Sequence, residues 1–268
     1  MSAPLTYMFD DSADRSKPVI VLLHGFLGSL SDWEDITILL REDFRILLVD
    51  LPGHGGNPVC GDHDAFTIDS CTRSLVELLD SLDIKKAHLV GYSMGGRLAL
   101  YFLLTCPENC DCIILESSSP GLRTEVEQAQ RRLHDEQLAQ KLERDGIEAF
   151  VREWYKQPLF RTMKAHPEQF EKLLNRRLRS DPTRLAMSLR MMGTGAQPSL
   201  WNRLAEIKTP LLLLAGKKDQ KFSAVAAEMA DLCPTARVRI IEACGHNVHF
   251  ERTERFAREV MNFLHRER

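Results

Sequence analysis

Residues 89–97 read Leu89-Val90-Gly91-Tyr92-Ser93-Met94-Gly95-Gly96-Arg97. An apolar run over residues 87–90 stops at the pattern Gly-x-Ser-x-Gly, and residues 97–104 then carry apolar side chains at helical spacing. Strand, sharp turn and helix in that order force the middle residue into a strained conformation, which requires small residues two before and two after it. The turn lifts the Ser93 hydroxyl off the end of a sheet, at the N-terminus of a helix. The string alone is common. Its place between a buried strand and a helix is what gives it meaning.

Working outward, residues 19–24 form a short apolar run bounded by Pro18 and Gly25, as expected of a buried parallel strand. It runs into His24-Gly25-Phe26-Leu27-Gly28. Residues 33–41 have helical spacing, and residues 44–51 form the next strand, ending in Asp50-Leu51-Pro52-Gly53-His54-Gly55-Gly56. The glycine-rich turn makes His54 a loop brace in preference to a catalytic base. Residues 67–82 repeat apolar side chains at helical period and feed the serine strand, and residues 112–116 form another strand. Steady alternation of strand and helix implies a mostly parallel sheet with helices on both faces.

From residue 121 to about residue 190 the texture changes to charged helix, with 15 Lys/Arg against 11 Asp/Glu. Strand signals resume at residues 210–215 and 238–241, and a last helix is expected over residues 253–265. A helical insertion in a resumed sheet is a cap over the C-terminal strand ends. The expected division is a core over residues 1–120, a helical cap over 121–199 and the rest of the core over 200–268.

Composition closes off other classes. The 268 residues are 44% hydrophobic and carry a net charge of −3, with no basic stripe, so nucleic acid is not expected as a partner. No apolar run approaches the roughly 20 residues that span a bilayer, and residues 1–18 lack the apolar segment of a secretory leader. Seven cysteines, none in a zinc-binding spacing, fit reduced thiols of a cytoplasmic protein. Neither a metal nor an organic cofactor is expected, and a monomer or weak homo-oligomer is.

Serine is a poor nucleophile or base until a histidine takes its proton, and the histidine needs an acid to fix its tautomer. In the α/β-hydrolase fold, which these elements indicate, the chain order is Ser, acid, His. Leu214-Ala215-Gly216-Lys217-Lys218-Asp219 puts Asp219 after the first strand beyond the cap, and Ala243-Cys244-Gly245-His246 puts His246 after the last. Ser93, Asp219 and His246 are therefore the expected catalytic residues. His249 and Asp50 are weaker candidates, the first structural and the second after the wrong strand. By position, the backbone N–H groups of Phe26 and Met94 would form the oxyanion hole. Arg97, four residues after Ser93, suits an anionic substrate, with an ion pair to the cap as the alternative.

Gly91-Tyr92-Ser93-Met94-Gly95-Gly96-Arg97, Asp50-Leu51-Pro52-Gly53-His54-Gly55, Ser119-Pro120-Gly121-Leu122, Trp154-Tyr155-x-Gln157-Pro158-Leu159-Phe160, Asp219-x-Lys221-Phe222 and Gly245-His246-Asn247-x-His249 together resemble the MenH family. These are the 2-succinyl-6-hydroxy-2,4-cyclohexadiene-1-carboxylate synthases of menaquinone biosynthesis. The resemblance covers nearly the whole chain. Arg97 and the Trp-Tyr-x-Gln-Pro string are its specific part.

The resemblance implies a lyase that eliminates pyruvate from an enolpyruvyl ether of a small multi-carboxylate cyclohexene, with Ser93 as base. It also implies that Tyr92, Arg97, Arg131, Trp154 and Arg177 contact substrate. Arg132 competes with Arg131, and Arg176 and Arg179 compete with Arg177. The competing functions are a carboxylesterase or thioesterase working through an acyl-enzyme, a C–C bond hydrolase, and a non-catalytic binding protein on the same fold. Burst kinetics with activated esters would mark the esterase. Ligand binding without turnover would mark the last.

Overall fold

The computed structural model describes residues 4–10, 14–58 and 63–267. The reading of residues 1–18 as leaderless therefore falls partly outside the described residues, as does Cys60. Seven strands form one sheet: β1 (Thr6–Asp10), β2 (Val19–Leu23), β3 (Arg45–Asp50), β4 (Ala87–Tyr92), β5 (Cys110–Glu116), β6 (Leu211–Gly216) and β7 (Ala236–Ile241). Their spatial order is β1-β3-β2-β4-β5-β6-β7. Only the β1–β3 pairing is antiparallel.

Alternation along each strand builds two cores. On β2, Val19, Val21 and Leu23 face the side covered by helices α2 (Ile68–Ser81), α3 (Met94–Thr105) and α7 (Gln220–Leu232). Ile20 and Leu22 face α1 (Glu34–Leu40) and α9 (Thr253–Arg266). Both faces are covered, so the central strands read as unbroken apolar runs. The edge strand β1, Thr6-Tyr7-Met8-Phe9-Asp10, has only half-buried or exposed side chains and neither a long apolar run nor a clean alternation, so it gave no strand signal.

Between β5 and β6 the chain leaves the sheet for a long helical insertion of α4 (Glu125–Trp154), α5 (Pro167–Arg177) and α6 (Pro182–Met192). Thr124 caps α4: its hydroxyl accepts from Glu127 N, and the Glu127 carboxylate accepts from Thr124 N. Gly146 breaks the helix at φ 79° with nothing packed near its Cα, a conformation that favours glycine. Arg190 of α6 donates to Glu136 and Glu143 of α4 at 2.8 and 2.5 Å, joining the two helices. The insertion has its own apolar core, including Leu142, Phe150, Phe160 and Leu185, which also receives Leu27 from the loop after β2. A short helix α8 (Val248–Glu251) follows β7. No helix among the described residues is long and apolar enough to cross a membrane.

Candidate active site

Ser93 sits between β4 and α3 with φ 50° and ψ −105°, a backbone geometry that costs on the order of 1–3 kcal/mol for a non-glycine residue. The neighbourhood holds it there. Its N–H donates to Glu116 O at 2.9 Å, and its carbonyl accepts from Arg97 N and Ser118 Oγ, both at 3.0 Å. A Cβ at Gly95 would lie 2.3 Å from Leu23 O, so the turn closes against β2 only with glycine.

A cavity of about 220 Å³ opens above Ser93, between the carboxyl ends of the strands and the helical insertion. Ser93, Met94, Phe26 and His246 line it from the sheet side. His246 Nδ1 lies 2.7 Å from Asp219 Oδ2, and both side chains are buried. The other Asp219 oxygen accepts from Phe222 N at 3.2 Å, capping α7. One carboxylate thus starts a helix and fixes the histidine tautomer, with Nδ1 protonated and Nε2 free to accept.

Arg97, on the first turn of α3, looks into the same cavity. Its Nε donates to Gln197 Oε1 at 2.5 Å and its Nη2 to Met192 O at 3.3 Å. Among the described residues no carboxylate lies within ion-pair distance of it. Burial, reinforced by the nearby Arg131 and only partly offset by Asp135, pushes its pKa down to about 9, so it stays cationic at neutral pH with no carboxylate in direct contact. Arg131 also lines the cavity, its Nε donating to Asp135 Oδ1 at 2.7 Å, while Arg132 turns away to Gly195 O. The rotation of about 100° between successive helical residues separates the two neighbours.

Arg177 reaches the cavity but is already engaged. Its Nη1 and Nη2 donate to Asp32 at 2.8 and 2.6 Å and its Nε to Tyr155 Oη at 3.2 Å. Of five guanidinium N–H groups, two are left. Arg176 turns to Ser31 O, and neither Arg176 nor Arg179 lines the cavity. Tyr92 and Trp154 both do. Burial pushes the Tyr92 phenol well above its ordinary pKa, and Trp154 stacks on Phe150 at 5.6 Å and meets Phe26 edge-on at 5.1 Å. The sequence reading did not assign Gln197, the partner of Arg97, or Lys221, which lines the rim. Lys221 stood in a quoted motif, but nothing local marks Gln197, a hundred residues from Arg97.

The rejected candidates have structural work. Asp50 accepts from Leu30 N at 2.7 Å and Gly56 N at 2.8 Å, bracing two loops. His249 Nδ1 meets Glu116 Oε2 at 2.6 Å, and its ring stacks on Trp33 at 4.2 Å. Glu116, fully buried at the end of β5, also accepts from Val248 N and His249 N. Replacing it by leucine strands three donors, so Glu116→Leu is expected to lose about 3–5 kcal/mol in urea unfolding.

His54 Nδ1 donates to Pro52 O at 3.1 Å, and its Nε2 is buried without a partner among the described residues. Burial lowers its pKa well below the ordinary value, and His24 beside it is lowered for the same reason. The unfolded chain therefore binds protons below about pH 6.5 that the folded chain refuses. Stability is full above that pH and falls with acid, by up to about 1.4 kcal/mol per pH unit for each histidine. Urea midpoints measured from neutral to mildly acidic pH should fall less steeply in His54→Gln than in the wild type. An unchanged slope would contradict the assignment.

Cys71, Cys106, Cys110, Cys112, Cys233 and Cys244 are free thiols. Burial pushes Cys71, Cys112 and Cys244 up to about 12. Among the described residues, no cluster of three His, Cys, Asp or Glu side chains could hold a metal ion.

Known proteins share this fold over most of the chain. The α/β-hydrolase fold family profile matches residues 18–253. A 2-succinyl-6-hydroxy-2,4-cyclohexadiene-1-carboxylate synthase of Escherichia coli O1:K1 is 34% identical, covering 87% of this chain and 88% of its own. The structure of MenH from Staphylococcus aureus superposes with a TM-score of 0.92 at 38% identity, over 97% of this chain and 98% of that one. A thermophilic esterase from Thermogutta terrifontis, at 24% identity and a TM-score of 0.84, shares the fold. Sequence likeness along nearly the full length and the S. aureus superposition thus point the same way, and the chain belongs to the 2-succinyl-6-hydroxy-2,4-cyclohexadiene-1-carboxylate synthase family of the α/β-hydrolase fold.

Proposed function

We propose that this chain eliminates pyruvate from 2-succinyl-5-enolpyruvyl-6-hydroxy-3-cyclohexene-1-carboxylate, with Ser93, His246 and Asp219 as the proton-transfer machinery. The observation that carries this reading is Arg97: a cation four residues from Ser93, facing the cavity and lacking a carboxylate partner among the described residues. An uncharged ester would leave that charge unpaired. A multi-carboxylate substrate supplies its counter-ion, and Arg131, already paired with Asp135, and Lys221 add further positive charge to the lining of the cavity.

His246 Nε2 takes the Ser93 hydroxyl proton, and Ser93 Oγ takes the ring proton beside the succinyl ketone. Charge develops on the ketone oxygen, where the N–H groups of Phe26 and Met94 receive it, worth about 3–4 kcal/mol each. The electron pair moves through the ring double bond, the ring C–O bond breaks, and the enolate of pyruvate leaves, taking the proton held by His246 to become pyruvate. No bond to Ser93 forms. General base catalysis contributes about 10²–10⁴-fold.

The helical segment over residues 121–199 acts as a cap on the core. Trp154 and Tyr92 form apolar walls against the ring, and Arg177 offers its two remaining N–H groups to a carboxylate. The free thiols fit the reducing cytoplasm.

The test is pyruvate release from the enolpyruvyl substrate, coupled to NADH oxidation. Rapid release by the wild type is expected. Absence of release together with turnover of simple aryl esters would replace this reading with an esterase.

A further inference from the structure

Arg97 stands where a cation is poorly placed. It lies on the first turn of α3, where the helix dipole already adds positive potential. Its guanidinium is desolvated, and among the described residues no carboxylate touches it. Charges withdrawn from water are ordinarily paired. The partner the fold supplies here is an uncharged one: Gln197, from the segment that follows α6, with a side chain only 3% exposed.

Three hydrogen bonds close a ring. Arg97 Nε donates to Gln197 Oε1 at 2.5 Å, Gln197 Nε2 donates to Met192 O at 3.2 Å, and Arg97 Nη2 donates to the same carbonyl at 3.3 Å. Met192 is the last residue of α6, so its carbonyl has no acceptor role within the helix and is free for both donors. The ring admits one orientation of the amide, with its oxygen toward the guanidinium and its nitrogen toward the carbonyl. A carboxylate in the same place would set one of its oxygens against Met192 O.

The ring also decides which N–H groups are spent. Nε and the adjacent N–H of Nη2 form one edge of the planar guanidinium, and both are used on neutral oxygens. Nη1 and the second N–H of Nη2 form the other edge, the fork that fits a carboxylate. Arg97 lines the cavity, and Gln197 does not.

We propose that Gln197 is a positioning residue: its neutral amide fixes one edge of Arg97 so that the other faces a substrate carboxylate, without cancelling the charge that binds it. A glutamate at this position would hold the guanidinium as an ion pair and compete with the substrate anion. The assignment rests on the reading of the substrate as a multi-carboxylate. It adds that the strength of the anion site depends on the neutrality of a side chain the substrate never touches.

Gln197→Glu supplies the competing charge, and Gln197→Met removes the tether while leaving Arg97 its charge. Both are to be compared with the wild type in two assays of the full chain. The first is kcat and KM for pyruvate release. The second is the rate at which an uncharged alkyl fluorophosphonate labels Ser93, read by intact mass, which needs Ser93 and His246 but no anion site.

Gln197→Glu is expected to raise KM about 10- to 100-fold, the span of one hydrogen bond to a charged group, and Gln197→Met about 2- to 10-fold. Both should label Ser93 at close to the wild-type rate. Wild-type KM in Gln197→Glu, a larger rise in Gln197→Met than in Gln197→Glu, or labelling that falls in step with the rise in KM would each overturn the proposal. If Gln197→Glu does not fold, Gln197→Met decides: a raised KM with intact labelling supports the proposal, and an unchanged KM overturns it. If the wild type releases no pyruvate, the lyase reading falls, and succinate replaces the substrate as probe. Succinate should then protect Ser93 from labelling in the wild type and about tenfold less well in Gln197→Glu, and equal protection would overturn the proposal.

Discussion

Ser93→Ala is expected to reduce pyruvate release about 10³–10⁴-fold while leaving the fold intact. The substitution removes one oxygen and keeps the Cβ, so the backbone strain at φ 50° and the contacts of Ser93 N and O with Glu116, Arg97 and Ser118 persist. What disappears is the atom that takes the ring proton. Substrate affinity should survive, because the proposed reading gives the carboxylates to the arginines and not to the hydroxyl. The loss therefore belongs in kcat. A Ser93→Ala enzyme with near wild-type kcat would show that His246 or a water molecule takes the proton directly.

Arg97→Met is expected to lower kcat/KM by about 10²–10³-fold, equivalent to about 3–4 kcal/mol, without a loss of stability. Arg97 is held by Gln197 Oε1 and Met192 O, and burial beside Arg131 pushes its pKa down to about 9. The free enzyme therefore maintains a charge it would be better without. A methionine of similar length removes that burden but leaves the buried Gln197 Oε1 without its donor, two opposing effects that should hold the urea midpoint near the wild-type value. Arg97→Lys should not restore activity, because a point charge lacks the bidentate fork. If Arg97 were a structural ion pair, Arg97→Met would lose stability and activity together.

How far the sequence carried the argument depended on range. The serine turn, the buried strands and the order of Ser93, Asp219 and His246 were legible because each rests on a local pattern: an apolar run, a glycine spacing, a strand end. The family resemblance added Arg131 and Arg177 to Arg97, which its place after Ser93 had already marked. It could not say what each one does in the free protein, since their partners are remote. Gln197 meets Arg97 across a hundred residues, and Arg177 meets Asp32 across 145. The choice between Arg131 and Arg132 turned on about 100° of helix rotation, which no motif records. β1 was missed because an edge strand with exposed Tyr7 and Met8 need not alternate cleanly.

The central claim is that Ser93 acts as a base on a ring carbon and forms no bond to the substrate. The most direct measurement is a single turnover of substrate carrying deuterium at the ring carbon beside the succinyl ketone, followed by pyruvate release and by intact mass of the protein. The account predicts slower pyruvate release from the deuterated substrate and no mass added to the chain at any time. Equal rates from both substrates, with an adduct on Ser93, would contradict it.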